Sequence, residues 1–250
     1  MNITILRYES LESTNTEAAH QARLGADEGL CVIARQQTAG RGRQGRIWVS
    51  EKDAGLYFSI VLRPKIEMRS FPLITLMTGI AVHDALQEFG LDPDIKWVND
   101  ILIGEKKICG ILAETVETGK DTAVIVGIGI NLTSRAFADD IAETATSIHA
   151  ESGKQVPPDI VAETVTKYLI YFYDIFSGTD AGTRIIELWQ KRSSYFSGKK
   201  VRVAVDSETL DGTTDGLEKN GALRVKLADG SVRIIQAGDV QRLRANNENT

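Results

Sequence analysis

Apolar and polar positions alternate in short runs through the first half of the chain, broken by two stretches with a longer period. Residues 3–8 alternate closely enough for a strand. Ser13-Thr14-Asn15 then has the chemistry of a helix start: Thr14 and Glu17 have capping-box spacing, and Gly25 follows Leu24 where a helix would stop. Residues 30–35 and 55–62 are apolar enough for strands, and Pro64 closes the second. Pro72 suits the first turn of a helix over 72–90, in which Leu73, Leu76, Met77, Ile80 and Ala81 recur at helical spacing. Residues 94–98 and 101–103 read as short strands around Asn99-Asp100. Gly104-Glu105 then turns the chain into a strand over 107–116, and 123–132 forms another. Strands joined so closely predict antiparallel pairing. Residues 133–158 are less regular, and 160–176 and 184–192 read as helices.

The pattern changes after Gly198. Apolar runs at 201–205, 222–227, 231–235 and 239–243 are separated by Asn220-Gly221 and Asp229-Gly230, both strong hairpin signals. The fold expected is α+β: a mixed, mainly antiparallel sheet with flanking helices over 1–197, a small β-barrel over 198–245, and a disordered tail at 246–250.

Composition narrows the function classes. At 250 residues, 42% of them hydrophobic, the chain can bury a sizeable core. Its net charge of -5 disfavours general nucleic-acid binding, which needs a basic surface. Cys31 and Cys109 both lie in apolar runs, as buried free thiols would in a reducing compartment, and neither belongs to a CxxC pattern. No apolar run is long enough for a membrane span and the first residues lack a signal-peptide layout, so a cytoplasmic protein is expected.

Against this acidic background, residues 40–46 read Gly-Arg-Gly-Arg-Gln-Gly-Arg. Glycine lets a ligand approach the backbone closely. Arginine brings a permanent charge and a planar fork of donors suited to phosphate or carboxylate. A solvated basic loop is the plain alternative; the regular glycines favour a ligand loop. Gly40, Gly42 and Gly45 satisfy G-x-G-x-x-G formally, but a dinucleotide fold needs a helix opening at the glycines, and Ile47-Trp48-Val49 favours β structure. The Walker A pattern fails because Arg46-Ile47 stands where Lys-Ser/Thr is required.

Three further clusters carry candidate chemistry. Lys96-Trp97-Val98-Asn99-Asp100 is a strand end with a polar turn. In Lys107-Ile108-Cys109-Gly110-Ile111-Leu112, strand alternation puts Lys107, Cys109 and Ile111 on one face, with the lysine either at a pocket lip or snorkelling. Gly127-Ile128-Gly129-Ile130-Asn131 has glycines inside a strand, which means close approach of a ligand or backbone, or a bulge. His20, His83 and His149 are scattered without metal-ligand spacing, and His83, on the helix from Pro72, reads as structural. No nucleophile–His–acid set stands out, which argues against covalent hydrolysis.

Together, Ser13-Thr14-Asn15, the Gly40 to Arg46 loop, Lys96 to Asp100, Lys107 to Leu112 and Gly127 to Asn131 resemble the motifs of biotin–protein ligases, over nearly the whole chain. The resemblance implies a sheet and helix layout like that of class II aminoacyl-tRNA synthetases, with an SH3-like C-terminal domain. It implies a two-step reaction in which biotin and Mg-ATP give biotinyl-5′-AMP, and the biotinyl group passes to a lysine of a biotin carboxyl carrier domain. Carried over by position, biotin would meet Ser13, Thr14, Asn15, Gln37, Gly40, Arg41, Gly42, Arg43, Lys107 and Gly110. ATP or the adenylate would meet Arg41, Arg43, Trp48, Asn99, Lys107 and Asn131. Lys107, Arg43 and Asp100 would be catalytic, with Asp100 a partner for the acceptor amine's proton and Mg2+ carried by ATP rather than by a protein metal site. The family often has proline where this chain has Val98.

The nearest rival is a lipoate or octanoate ligase or transferase, whose site would be a long apolar tunnel. Other rivals are a biotin-responsive repressor and a catalytically dead binding module. A strand beginning at Ile3, with Ser13 already in the site, leaves no room for a preceding DNA-binding domain, so a monofunctional ligase without nucleic-acid or membrane partners is expected, with a homodimer through an exposed sheet edge as plausible as a monomer.

Overall fold

Seven strands, β1 (Thr4–Tyr8), β2 (Leu30–Ala34), β3 (Gly55–Leu62), β4 (Pro93–Lys96), β5 (Asp100–Ile103), β6 (Lys106–Glu117) and β7 (Thr122–Asn131), form one sheet in the order β1-β2-β3-β7-β6-β5-β4. This computed structural model describes residues 1–119, 121–135, 137, 139–205, 208–236 and 238–242. β1 and β2 pair in parallel, and every other neighbouring pair is antiparallel, as the short turns require for β4–β5, β5–β6 and β6–β7.

Alternation along the central strands divides their residues between two faces. Leu56, Phe58, Ile60 and Leu62 of β3 and Val124, Val126, Ile128 and Ile130 of β7 belong to the large core. That core includes α2 (Pro72–Glu88), α5 (Pro158–Phe176) and α6 (Ala181–Gln190). α2 is apolar on nearly every side and is buried from Leu73 to Leu86 between the sheet and these helices. On the opposite face, Val32, Val61, Val116, Ala123 and Ile125 pack against Ala18 and Ala22 of α1 (Thr14–Arg23). Farther along that second face the side chains become small: Ser59, Gly110, Gly127 and Gly129. The sheet is therefore open there, beside the start of α1.

The C-terminal strands β8 (Ser197–Val205), β9 (Glu208–Leu217), β10 (Leu223–Lys226), β11 (Val232–Ile235) and β12 (Asp239–Arg242) form an antiparallel sheet in the order β11-β10-β9-β8-β12, as expected of a small β domain. Val201, Val203, Leu223, Val225, Ile235 and Val240 extend the large core. The buried Trp97 Nε1 donates to Gly221 O at 2.9 Å, tying the two sheets together. Gly221 and Gly230, at φ +85° each, occupy the expected turns.

Several elements differ from the sequence expectation. β9 was not anticipated, because Glu-Thr-Leu-Asp-Gly-Thr-Thr-Asp-Gly-Leu is largely polar; ladders on both sides hold it instead. The irregular 133–158 stretch contains two short helices, α3 (Asp139–Ala142) and α4 (Ile148–Ser152). The strand placed at 94–98 stops at Lys96, and the Trp97–Val98 peptide is cis. The Thr14–Glu17 capping box does not form: Ser13 is the N-cap, Thr14 Oγ1 bonds to Gln37, and Glu17 accepts from Tyr8 and Gln21. Leu243 and the 246–250 tail lie outside the described residues.

Candidate active site

A cavity of about 570 Å3 opens over the small-residue part of the sheet, between the N-terminus of α1, the Gly-Arg segment, β6, β7 and the start of β12. It brings together every residue that the resemblance assigned to biotin, ATP or catalysis except Gly40, whose carbonyl accepts from Trp48 N at 2.9 Å, and Ser13 to Asn15 lie at its α1 end.

The position of Lys107 depends on a break in β6. Between Ile101 and Leu102 of β5 the paired residues on β6 jump from Cys109 to Lys107, so β6 carries one extra residue, a bulge. The bulge reverses the alternation. Lys107 therefore does not share a face with Cys109 and Ile111, as strict alternation predicted; those two are buried in the core. Lys107 instead joins Gly110 on the cavity side: a Cβ on Gly110 would lie 3.1 Å from Lys107 Nζ. Of the two readings of this lysine, the pocket lip is the one observed.

At the α1 end the groups are neutral and densely bonded. Gln37 Oε1 accepts from Thr14 N at 2.8 Å and from Thr14 Oγ1 at 3.1 Å, while its Nε2 donates to Ser50 Oγ at 2.8 Å. The buried Ser59 Oγ lies 2.7 Å from Thr14 Oγ1 and 2.6 Å from Asn15 Oδ1. Asn15 Nδ2 donates to Glu114 Oε2 at 2.7 Å and to Leu112 O at 3.3 Å. Asn15 presses on Gly127, where a Cβ would lie 2.3 Å from its Oδ1. Thus the strand glycines mark close approach: the β6–β7 ladder passes through Gly127 and Gly129 without a break.

The Gly-Arg segment is itself a small hairpin. Arg41 bridges Ile47, Gly42 N donates to Arg46 O at 2.7 Å, and a tight turn holds Gln44 at φ 56° and Gly45 at φ 72°. Each arginine reaches a different element. Arg41 Nη2 bonds Glu114 Oε2 on β6 at 2.9 Å, Arg43 Nη1 bonds Asn99 Oδ1 at 3.2 Å, and Arg46 Nη2 bonds Asp239 Oδ2 on β12 at 2.8 Å. Asn99 is fixed in turn by the Ile111 peptide, which donates to its carbonyl and accepts from its Nδ2. Trp48, at the end of the hairpin, lies against the paired Gly110 and Gly129; a Cβ on Gly129 would be 2.5 Å from its ring. Lys107 Nζ is 5.4 Å from the Trp48 ring centroid. Trp48 Nε1 is buried and has no hydrogen-bond partner among the described residues.

The other end of the cavity is cationic. Lys107 Nζ is 2.6 Å from Asp100 Oδ1 and Lys96 Nζ is 3.1 Å from Asp100 Oδ2. Burial pushes the Asp100 carboxyl up, but the two ammonium groups, Lys107 first, outweigh it and hold the carboxyl below its ordinary range. Burial also lowers Arg43, against the pull of Asp100 and Asp239; a guanidinium stays charged at neutral pH regardless. Five cations line the cavity (Arg41, Arg43, Arg46, Lys96 and Lys107) against three carboxylates (Asp100, Glu105 and Asp239), a local positive excess on an acidic chain. Residues 144–146 close this end: Lys107 N donates to Thr144 O at 2.8 Å, Thr146 N donates to Lys107 O at 2.9 Å, and Asn131 Nδ2 donates to Thr146 O at 3.0 Å. Burial pushes both thiols up, Cys31 to about 12, which suits neither as a nucleophile.

Sequence reasoning missed Ser59, Glu114, Asp239 and the 144–146 wall. Glu114 was reachable by counting in twos from Gly110; Asp239 has no local signal at all.

A neutral hydrogen-bonding pocket that runs into a cationic one suits a protein that joins a small polar-headed acid to a nucleotide phosphate. The chain belongs to the biotin/lipoate A/B protein ligase family, whose model matches residues 8–131, and residues 196–243 match the biotin protein ligase C-terminal domain. It is 34% identical over 239 residues to the bifunctional ligase/repressor BirA of Bacillus subtilis, covering 93% of this chain and 72% of that one. It is 31% identical over 242 residues to the biotin–[acetyl-CoA-carboxylase] ligase of Paracoccus denitrificans, covering 92% and 96%. Among solved structures, the biotin protein ligase of Aquifex aeolicus in complex with biotin and ATP superposes with a TM-score of 0.83 at 28% identity, covering 97% of this chain and 99% of that one.

Proposed function

We propose that this protein is an ATP-dependent biotin–protein ligase. The observation that carries the reading is the two-part cavity: a polar, uncharged pocket lined by Ser13, Thr14, Asn15 and Gln37 and backed by the buried Ser59, continuous with a cationic one built by Arg43, Lys96 and Lys107. A neutral ureido ring suits the first and an adenylate suits the second. An octanoyl or lipoyl chain would offer no polar group to Ser13, Thr14, Asn15 and Gln37, which line the first pocket.

In the first step the biotin carboxylate oxygen attacks the α-phosphorus of ATP, and pyrophosphate leaves. Two anions meet, so fixed cations are needed where charge develops. Lys107 and Arg43 supply them, and their attraction strengthens several-fold once water is excluded, from about 1 kcal/mol per unit pair at ~4 Å in water to about 4 at an effective dielectric near 20. Trp48 Nε1 offers an unused donor to the ligand, and Gly110 and Gly129 let its ring lie on the sheet. Gly40, Arg41 and Gly42 form the hairpin base, and Asn131 and Asn99 border the nucleotide. In the second step the neutral ε-amine of an acceptor lysine attacks the acyl carbon, AMP leaves with the bonding pair, and the amine's proton passes to solvent or the departing phosphate. Asp100, held ionised and bound to two lysines, is better suited to orienting Lys107 than to taking the amine's proton. Because the Asp100 oxygens are committed to lysines, Mg2+ would arrive on ATP and draw its oxygens from the phosphates.

The acceptor is a biotin carboxyl carrier domain, the compartment is the cytoplasm, and the functional division is 1–197 for catalysis and 198–245 for the C-terminal domain. Buried free Cys31 and Cys109 support a reducing compartment, and no helix of the described residues is long and apolar enough to cross a membrane. The net charge of -5 disfavours nucleic-acid binding and supports a ligase without repressor function; specific retardation of operator DNA would overturn that part. The terminal strand β1 offers an edge for a homodimer, which sedimentation would detect, whereas the outer edge of β4 is taken at Ile95 by Arg192 O and Ser193 Oγ. The central test measures pyrophosphate release with biotin, lipoate and octanoate, and transfer of labelled biotin to a carrier domain with and without ATP. Release with lipoate or octanoate but not biotin would replace this reading with the lipoyl one.

A further inference from the structure

The C-terminal sheet reaches the cavity through Gly238 and Asp239, which both line it. Asp239 Oδ2 meets Arg46 Nη2 at 2.8 Å, across 193 residues of sequence. Its side chain is 25% exposed and that of Arg46 61%, so the pair sits at the cavity rim rather than within the core. Asp239 stands on a firm base. It opens β12, paired in register with Ala204 of β8, and Gly238 is packed so closely that a Cβ would lie 3.0 Å from Ala204 O. The sheet beneath is fixed to the catalytic half by the shared core and by the Trp97–Gly221 hydrogen bond. Arg46 has the opposite character: it ends the turn of a hairpin whose own backbone bonds are few, Gly42 N to Arg46 O, Arg46 N to Arg43 O and Trp48 N to Gly40 O.

We propose that Asp239 is a positioning residue that latches the 40–48 hairpin over the cavity through Arg46, so that the C-terminal sheet controls how long a bound adenylate is retained. A charge pair between a rigid sheet and a thin hairpin raises the cost of hairpin opening, while its exposure keeps it weak enough to release in each cycle. This rests on the ligase reading for its consequence but not for its geometry. The latch therefore has one test that needs no activity.

In the ligand-free full chain, hydrogen exchange at the Gly42 and Trp48 amides reports hairpin opening. Asp239→Asn should speed it about 2- to 5-fold, the range for a pair at this exposure, with the melting temperature unchanged. The same variant should release preformed biotinyl-AMP about 2- to 5-fold faster at low salt. Raising salt from about 0.01 M to about 0.15 M shortens the screening length from about 30 Å to about 8 Å. This should speed release from the wild type and have a smaller effect on the variant. Exchanging the charges, with Arg46→Asp and Asp239→Arg together, should restore retention. Wild-type exchange and wild-type release in Asp239→Asn would overturn the latch. Faster exchange in Asp239→Asn from a wild-type chain that makes no biotinyl-AMP would uphold the latch and overturn the ligase reading instead.

Discussion

Gly127→Ala places a methyl group where Asn15 already stands. The added Cβ would lie 2.3 Å from Asn15 Oδ1 and 2.9 Å from its Cγ, far inside an ordinary contact of about 3.5 Å. Asn15 cannot move aside freely. It is 4% exposed, donates to Glu114 and Leu112 O, and accepts from the region of Ser59. Displacing it forfeits a charge-assisted bond, about 1.5–3 kcal/mol, and at least one neutral bond, about 0.5–1.5 kcal/mol. The total is about 2–4.5 kcal/mol, which overlaps the ~1–3 kcal/mol usual for overpacking a tight site. Tenfold in affinity is about 1.4 kcal/mol, so biotin Kd should rise about 30- to 1,600-fold where this loss falls on the head-group pocket. Isothermal titration with biotin reads the affinity, and thermal melting reads any cost to the fold. Adding Asn15→Ala to Gly127→Ala removes the clash, so the double variant should regain melting temperature without regaining biotin affinity. Wild-type biotin affinity in Gly127→Ala would refute the placement of the head group against Asn15.

Three further outcomes are expected. Lys107→Ala should lower pyrophosphate release by about 10²- to 10³-fold, the usual cost of losing one donor aimed at developing charge; normal release would remove Lys107 from the adenylation step. Arg43→Ala should leave adenylate synthesis measurable but leak biotinyl-AMP into solution, detected as free adenylate separated from the protein by rapid filtration, and normal retention would count against its closing role. Asp100 should give an acid-dependent stability: its folded value is depressed, so its contribution is present above the ordinary Asp range near 3.8 and is lost as pH falls through the lower folded value. Denaturant melts from neutral pH downward should therefore show wild type losing more stability on acidification than Asp100→Asn, and parallel losses would refute the depressed carboxyl.

The central strands and α2 were legible because β3 is buried along its whole length, β7 along most of it and α2 on nearly all sides, so burial writes itself into the sequence as apolar runs. The site's contiguous clusters were legible for a related reason: each lies within one turn or strand. What was not legible depends on distant partners. The face of Lys107 is set by one extra residue in β6 relative to β5, and nothing within 107–112 announces that bulge. Ser59 matters through Asn15, 44 residues away, and Glu114 through Asn15 and Arg41, 99 and 73 residues away. β9 escaped because its place is fixed by ladders to β8 and β10 and not by an apolar face.

The three arginines of the hairpin, of which the resemblance assigned ligand roles to Arg41 and Arg43 alone, differ in what they hold. Arg41 and Arg46 bind carboxylates, Glu114 and Asp239, while Arg43 meets the neutral amide of Asn99. A bond to an ionised acceptor is roughly twice as strong as a neutral one. Moving Arg41 or Arg46 onto a phosphate would therefore exchange one charged acceptor for another and leave a carboxylate unpaired beside an incoming anion. Moving Arg43 gives up only a neutral bond, and burial has already stripped much of its water. The same transfer is thus most favourable for Arg43. The geometry points to a division of labour in which Arg41 and Arg46 shape the hairpin and Arg43 follows the charge that develops on the ligand.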